Sequence, residues 1–259
     1  MTQPKEQTAY RRLNPLTKLL AALVVTAAAL VTSGMLAPAL LVVVGVLAPA
    51  TAARTVSTLV RTALLLTLPL AVSILLVNVL FFPGGREVIF SLGPVRATAE
   101  GLAFAIETLL RLAAISGAIT LFYLTTPPGE LALDLEHRGV PARLTFIIHA
   151  AVQMVPAMVE RAEAITAAQR ARGLDTEGSL WKRLRGVLPL AGPVLLGSIA
   201  EVEERTMALE ARGFTRPGRR TLLWHPPDSS RQALVRWLLV AAVPALVAAR
   251  ASGLLDRVG

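Results

Sequence analysis

Long uncharged apolar stretches recur along this chain and are separated by short polar segments. A helix needs about 20 apolar residues to cross a hydrocarbon core about 30 Å thick, and the stretches approach that length. Their apolar residues come in blocks that do not alternate with polar residues, unlike the strands of a membrane β-barrel. The pattern therefore predicts an all-α, polytopic membrane protein with about five transmembrane helices, near residues 16–32, 35–50, 62–82, 98–125 and 233–249.

Turn and cap residues separate these stretches. Residues 33–34 (Ser-Gly) predict a turn, and the loop 83–96, with Gly-Pro between two short runs, predicts a small hairpin or bent turn. Thr98 stands where an N-cap of the fourth span belongs, and the prolines at 127–128 end that span. Pro69 predicts a kink in the third span.

The segment 127–232 differs in kind from the spans. It holds more than half of the Lys and Arg residues and most of the acidic ones, yet apolar residues recur in it every three or four positions. The recurring apolar residues are Leu144, Ile147, Ile148, Ala151, Val155, Met158, Val159, Leu195, Ile199, Val202 and Met207. This spacing predicts long amphipathic helices that lie along or under the membrane without crossing it.

The charge distribution orients the chain. Its net charge of +9 comes from basic residues at span ends and in 127–232, as the positive-inside rule requires of cytoplasmic segments. We therefore predict a multi-pass protein of the bacterial inner membrane with a cytoplasmic N-terminus. The predicted regions are transmembrane helices one to four (1–126), a cytoplasmic helical region (127–232) and a C-terminal transmembrane helix (233–259). Aromatic residues make up only 5%, which argues against nucleic acid as a partner.

The sequence offers little for catalysis. The chain has no cysteine, which excludes disulfides, thiol nucleophiles and Cys-zinc sites. His137, His149 and His225 are far apart, so we predict no metal site. The sequence contains no Gly-x-x-x-x-Gly-Lys-Ser/Thr loop and no Gly-x-Ser-x-Gly motif. We expect a non-catalytic chain without a cofactor.

Three polar features in the helices have competing interpretations. Glu107 and Arg111 are four residues apart in the fourth span, and we favour a buried structural pair over a proton or ion relay. Asn78 is interpreted as an interhelical hydrogen-bonding residue and not as a ligand. A cluster of glutamates near Arg205 is interpreted as a solvated helix face and not as a catalytic site: Glu201, Glu203 and Glu204.

An internal repeat carries the functional signal. Residues 169–174 (Gln-Arg-Ala-Arg-Gly-Leu) recur at 209–214 as Leu-Glu-Ala-Arg-Gly-Phe, each at the end of a charged amphipathic helix. Glycine after a helix end permits a left-handed turn, alanine keeps the last turn thin, and arginine projects a rigid, always-charged fork. The helix dipole alone explains one such end, but two in register favour a pair of binding elements. The predicted binding residues are Ala171, Arg172, Gly173, Ala211, Arg212 and Gly213.

The paired Ala-Arg-Gly motifs resemble the two signatures of energy-coupling factor T components. Further segments that resemble this family are 13–20 (Leu-Asn-Pro-Leu-Thr-Lys-Leu-Leu), 98–102, 124–131 and 138–141. One position departs from it, because Gln153 stands where the family often has an arginine shortly before a proline, here Pro156. The departure puts one contact of that helix in doubt.

The resemblance implies a role as the transmembrane coupling subunit of an ATP-driven, ABC-type importer. In this role 127–232 contains the coupling helices, and Arg172 and Arg212 pair with acidic grooves of two cytoplasmic ATPases, identical or different. A substrate-binding S component, specific for a vitamin or for a nickel or cobalt ion, docks on the apolar faces of the coupling helices. ATP hydrolysis then belongs to the partner subunits.

The alternative is a self-contained secondary transporter or another polytopic membrane protein. A secondary transporter predicts symmetric halves and ionisable residues clustered at the midplane, and the sequence shows neither. A membrane-embedded enzyme predicts clustered carboxylates or histidines at the interface. An ordinary importer permease has one coupling loop per chain, whereas this sequence has two similar helix ends.

Overall fold

The chain forms two compact units in a computed structural model. The first unit joins the two ends of the chain, Met1–Arg138 and His225–Gly259, and the second is Gly139–Trp224. The described residues are 8–83, 88–92, 95–173, 180–214, 216 and 226–252. The unit boundaries differ from the predicted region boundaries at 126 and 232, because the short helix after residue 127 and the segment before the last helix belong to the first unit.

Helices make up most of the described residues, so the predicted all-α class is confirmed. In chain order the elements are α1 (Pro15–Val31), α2 (Leu36–Leu40), a π-helical segment (Leu41–Leu47), α3 (Ala48–Ala52), α4 (Val56–Phe81), β1 (Val88–Leu92), β2 (Val95–Thr98), α5 (Ala99–Thr125), α6 (Pro128–His137), α7 (Ala142–Ala171), α8 (Leu180–Ala211) and α9 (Ser230–Ala251).

Local sequence signals explain several helix ends. Asn14 caps α1, because its side-chain oxygen accepts a hydrogen bond from the Leu16 N–H at 3.0 Å. The predicted Thr98 cap is confirmed, since its hydroxyl accepts from the Gly101 N–H at 3.2 Å. Gly34 adopts a φ of 80° in the turn after α1, as the Ser-Gly pair predicted.

The core of the first unit forms around α5, which packs on α4, α1 and the π-helical segment. The buried side chains of this core are Val46, Ala50, Leu59, Ala118 and Leu121. Small residues let the helices approach closely: a Cβ added at Gly117 would lie 2.7 Å from Cγ1 of Val46. The close packing places the residues described below at fixed positions on α1, α5, α6 and α9.

The predicted hairpin between the third and fourth spans is confirmed. Strands β1 and β2 pair antiparallel, with Leu92 opposite Val95 and Phe90 opposite Ala97. The register shifts between Val88 and Phe90, so the pairing is irregular near the open end. The hairpin leads directly into the cap of α5.

Four described helices are long and apolar enough to cross a membrane: α4, α5, α7 and α9. α1 and the helical run Leu36–Ala52 are also apolar but shorter. α7 differs from its predicted amphipathic character, because residues 144–159 contain no charged side chain. Its length and composition are those of a crossing helix.

The expected role of Asn78 was wrong. Its side-chain amide donates to the Ile74 carbonyl at 2.8 Å, within α4 itself and not between helices. The backbone of Asn78 makes the interhelical approach instead, since a Cβ on Gly101 would lie 2.4 Å from the Asn78 carbonyl oxygen. The tight backbone packing of α4 on α5 therefore depends on glycine at position 101.

Candidate functional site

The first Ala-Arg-Gly motif ends α7. Ala171 is the last helical residue, and Arg172 is the C-cap residue with φ −90° and ψ 8°. The Arg172 N–H donates to the Gln169 carbonyl at 3.0 Å, and the Gly173 N–H donates to the Arg170 carbonyl at 2.9 Å. Gly173 has a φ of 88°, the left-handed conformation that the sequence predicted.

The second motif ends α8, and its glycine also has a positive φ. The Gly213 N–H donates to the Glu210 carbonyl at 2.9 Å, and the Phe214 N–H donates to the Leu209 carbonyl at 2.9 Å. This pair of bonds, with a φ of 70° at Gly213, is a Schellman motif. The Phe214 ring then packs on Phe146 of α7, with 5.0 Å between ring centroids.

All six motif residues are exposed. A Cβ added at Gly173 or Gly213 would meet nothing within 4 Å, so neither glycine is required by local crowding. Among the described residues, the guanidinium groups of Arg172 and Arg212 have no ion-pair partner. The second unit therefore presents two arginine-tipped helix ends to solvent.

The two helices that carry these ends are joined by an ion pair. Arg161 of α7 lies 2.8 Å from Glu201 of α8, and Arg205 lies 3.0 Å from the other oxygen of Glu201. Gly197 lies at the same contact, because a Cβ there would be 3.7 Å from Nη1 of Arg161. The predicted solvated face is thus correct for Glu203 and Glu204, which are exposed, whereas Glu201 binds the neighbouring helix.

The repeat extends upstream of the motifs. Thr166 and Thr206 occupy equivalent positions, and each hydroxyl donates to the carbonyl four residues earlier, at 2.6 Å and 2.7 Å. Next to the first motif, α7 borders an open groove of about 640 Å³. The residues that line this groove are Val159, Ala162, Glu163, Thr166, Ala167 and Arg170.

A comparison with protein families supports the resemblance read from these motifs. The model of the CbiQ family, described as "Cobalt transport protein", matches residues 6–222. This range covers most of the chain and contains both Ala-Arg-Gly motifs. The chain belongs to this family. The match ends before α9 begins.

Curated relatives carry the name "Energy-coupling factor transporter transmembrane protein EcfT". The protein of Limosilactobacillus fermentum is 32% identical over 61% of this chain and 64% of its own length. The proteins of Bacillus selenitireducens (34% identical; 63% and 65%) and Lactococcus lactis (30%; 61% and 65%) are similar to the same degree. The chain thus spans slightly less than two thirds of each of these relatives, and its resemblance to the T components is confirmed.

The Glu107–Arg111 pair of this CbiQ-family chain is structural, as predicted. The two side chains form an ion pair at 2.8 Å. Arg111 also donates to the carbonyls of Ala29 and Thr32 at 2.8 Å and 3.0 Å, and Glu107 accepts from the Gly34 N–H at 3.1 Å. The pair thereby binds the C-terminal end of α1, whose free carbonyls attract a cation.

A network of polar side chains lies at the opposite end of α1, and the sequence did not reveal it. Seven residues from α1, α6, α9 and the segment before α9 form this polar network: Asn14, Thr17, Asp134, Arg138, Asp228, Gln232 and Arg236. Asn14 is fully buried, and Asp134 is 2% exposed. The segment 13–20 that resembles the family contributes two of these residues.

Hydrogen bonds connect the members of the polar network. The Asn14 side-chain amide donates to Asp134 at 2.7 Å, and the Asn14 N–H donates to the Gln232 side-chain oxygen at 2.8 Å. Arg236 donates to the Thr17 hydroxyl at 3.1 Å. Nearby, buried Lys18 donates to the carbonyls of Arg11 and Thr125 at 2.9 Å and 3.1 Å. α1 is therefore fixed to α5, α6 and α9 at one end.

Two charged members of the network have shifted pKa values. The hydrogen bonds from Arg236 lower the pKa of Asp228, and Arg138 adds to this effect against the opposing influence of burial. Burial lowers the pKa of Arg138, but its hydrogen bonds to Asp134 and Asp228 outweigh that and raise it. Both groups are therefore held in their charged forms.

The structure offers no metal centre among the described residues, in which no group of three or more His, Cys, Asp and Glu side chains could hold an ion. His149 has a buried Nδ1 without a hydrogen-bond partner. His225 lies outside the described residues.

Proposed function

We propose that this chain is the transmembrane coupling subunit of an ATP-driven importer of the energy-coupling factor type. The observation that carries the proposal is the pair of exposed helix ends at Arg172 and Arg212, each followed by a glycine with positive φ and each without an ion-pair partner among the described residues. An exposed arginine on a rigid helix end suits an acidic groove, because its planar fork binds carboxylates with two hydrogen bonds. Two such ends suit two similar partners.

The partners under this proposal are two cytoplasmic ATPases and a small substrate-binding membrane protein. The relatives support this assignment, because they are named energy-coupling factor transporter transmembrane proteins. The ATPases bind the two motifs and carry out ATP hydrolysis, so the chain itself is not an enzyme. The substrate-binding protein takes up a vitamin or a nickel or cobalt ion.

Exposed apolar side chains on α7 and α8 give the substrate-binding protein a surface. Among the described side chains of these helices, the most exposed large apolar ones are Ile147, Val155, Leu195, Leu196 and Met207, each at least 60% exposed. An apolar helix face of this kind is suited to another membrane protein or to lipid. We propose that the S component docks here, with the uncharged part of α7 at membrane level.

A secondary transporter is not supported by the polar residues of the spans. Glu107 and Arg111 were the best candidates for an ion relay, and both bind backbone groups at the end of α1. Because both side chains are held by these hydrogen bonds, we infer that the pair does not act as a proton or ion relay in α5.

Charge reversal tests the proposal directly. The tagged chain with Arg172→Glu and Arg212→Glu together should lose the ATPases that co-purify with the unmodified chain from native membranes, because each acidic groove would then face a carboxylate. Partners are identified by mass. Arg143→Glu is the matched control, since Arg143 is an exposed arginine at the other end of α7.

The outcomes separate the two functions. Full ATPase recovery with the doubly reversed chain would exclude the proposed binding ends. Recovery of the unmodified chain alone, stable and monodisperse, would favour a self-contained transporter. A loss that also occurs with Arg143→Glu would show a general effect of charge and would likewise count against the proposal.

A further inference from the structure

Asp228 lies close to the point where the chain returns from the second unit to the first. The second unit is inserted between Arg138 and His225, so the chain leaves the first unit directly after Arg138 and has returned to it three residues before Asp228. Arg138 and Asp228 therefore stand at the two connections of the inserted unit. Their side chains meet, although they are 90 positions apart in the sequence.

The Asp228 carboxylate binds both Arg138, at the first connection, and Arg236 of α9. Oδ2 of Asp228 accepts from Nη2 of Arg138 at 2.8 Å and from Nη2 of Arg236 at 2.8 Å. Oδ1 of Asp228 accepts from Nη1 of Arg236 at 2.9 Å. The arrangement with Arg236 is bidentate, which fixes orientation as well as distance.

The same two arginines also connect to residues at the start of α1. Arg138 donates through Nε to Asp134 at 2.9 Å, and Asp134 accepts from Asn14, the cap of α1. Arg236 donates to Thr17 in the first turn of α1. Two arginines and two aspartates thus balance in charge while they connect α1, α6 and α9.

Packing alone does not explain this arrangement. The Asp228 side chain is 36% exposed and can bury little surface, whereas its bidentate, hydrogen-bonded ion pair with Arg236 fixes one geometry among several. Here the geometry that is fixed is the separation of the two connections. A movement applied to the inserted unit would then reach α1 and α9 instead of being absorbed by the connections.

We propose that Arg138, Asp228 and Arg236 form a clamp across the two connections of the second unit, and that they are positioning residues for the transfer of ATP-driven movement to α1 and α9. This inference rests on the proposed function, because the movement comes from bound ATPases. The clamp residues belong to the first unit, whereas the proposed ATPase-binding ends belong to the second. Loss of the clamp should therefore leave ATPase binding intact while it uncouples the helices.

The experiment uses the full chain purified with its ATPases in lipid nanodiscs. Because the chain has no cysteine, Ser230→Cys at the exposed start of α9 gives a single site for an environment-sensitive fluorophore. The nucleotide response is the difference in emission between the ATP-bound and ADP-bound states. Asp228→Asn in this background should reduce the response about fivefold or more, the size of a typical coupling between sites, with unchanged ATPase recovery.

Two control variants define the role of the clamp. Asp228→Glu keeps the carboxylate and should restore most of the response, which a purely steric role of the residue would not predict. Glu204→Gln removes one negative charge from an exposed position on α8 and should leave the response unchanged. If Asp228→Asn is not recovered folded, Arg138→Lys replaces it, since lysine keeps the charge but cannot reach both aspartates through separate nitrogens.

The results distinguish failure of the clamp from failure of the proposed function. If the unmodified chain recovers no ATPase, the proposed function fails. If the ATPases bind but neither Asp228→Asn nor Arg138→Lys reduces the response, the clamp is overturned. A labelled chain that binds ATPases and shows no nucleotide response at all would overturn it as well.

Discussion

At the scale of single residues, the conformations of the two motif glycines depend on their immediate neighbours, whereas the polar network joins residues that are far apart in the sequence. Gly173 and Gly213 have the positive φ values that a glycine after a helix end favours, because this conformation depends on the residue type and its immediate neighbours. The contact between the Asn14 N–H and Gln232 spans 218 positions, and helical periodicity carries no information about which distant group a polar side chain meets. The motifs were therefore predictable, and the polar network was not.

The acid stability of the chain depends on Asp228. Because Arg236 lowers its pKa, the carboxylate stabilises the folded chain at every pH above its unfolded-state pKa of about 3.9, and this contribution is lost as the pH falls through the lower folded-state value. The purified chain should therefore unfold at a higher temperature than Asp228→Asn at pH 6, and the difference should shrink as the pH falls below about 3.9 and the folded-state carboxylate becomes protonated. Thermal unfolding in one detergent measures both midpoints.

Solvent screening limits the size of that effect. The Asp228 side chain is 36% exposed, so the difference at pH 6 should be about 1 kcal/mol or less. Glu204→Gln, at an exposed carboxylate without a described ion pair, should change the midpoint little at either pH. A difference for Asp228→Asn that grew as the pH fell would contradict the assigned role of the arginines.

At the scale of the elements, composition located the helices but not their details. Blocks of apolar residues predicted α1, α4, α5 and α9, and Thr98 marked the start of α5. The π-helical segment Leu41–Leu47 was not predicted, nor was its close approach to α1, where a Cβ on Gly45 would lie 2.9 Å from Cγ2 of Val25. Such close approaches appear only when the neighbouring helix is known.

Because α4 packs closely on α5, replacing Gly101 with a larger residue should strongly destabilise the chain. An added methyl group would lie 2.4 Å from the Asn78 carbonyl oxygen and 2.9 Å from Cβ of Phe82, and neither can move without shifting α4. Gly101→Ala should therefore destabilise the chain by about 1–3 kcal/mol, as overpacking does. The measurement is the thermal unfolding midpoint of the purified chain in detergent.

Gly192→Ala is the matched control for this substitution. Gly192 lies within α8, is exposed and has no atom within 4 Å of an added Cβ. Alanine there should stabilise the helix by about 0.5–1 kcal/mol, because it reduces the freedom of the unfolded chain. The two changes should thus shift the midpoint in opposite directions, and equal shifts would show that the α4–α5 contact does not depend on glycine.

At the scale of the whole molecule, the two units differ in hydropathy and in exposed charge. The first unit contains three of the four helices that are long and apolar enough to cross a membrane, and the second ends both of its helices in exposed arginines. α7 has no charged side chain at residues 144–159 and several after residue 159, which explains why periodicity alone assigned it to the membrane surface. Under the proposed function, the uncharged part of α7 lies at membrane level and its charged end faces the ATPases.

The orientation in the membrane follows from this division and can be measured. By the positive-inside rule we expect the arginine-tipped ends of α7 and α8 on the cytoplasmic side, whereas the hairpin between α4 and α5 carries little net charge and should face outward. Because the chain has no cysteine, Phe90→Cys in the hairpin and Glu204→Cys on α8 each give one exposed thiol. A membrane-impermeant maleimide should label the first only in intact cells and the second only in inverted vesicles.

Leu66→Cys provides the control, since it lies midway along α4 and should be protected by lipid in both preparations. Labelling of Glu204→Cys in intact cells would place the arginine-tipped ends outside, where no ATPase could reach them, and would exclude the proposed function. Labelling of Phe90→Cys from both sides would instead indicate damaged membranes and require repetition. Only the opposite accessibility of the two thiols is consistent with helix ends that receive force from cytoplasmic ATPases and a first unit that delivers it across the bilayer.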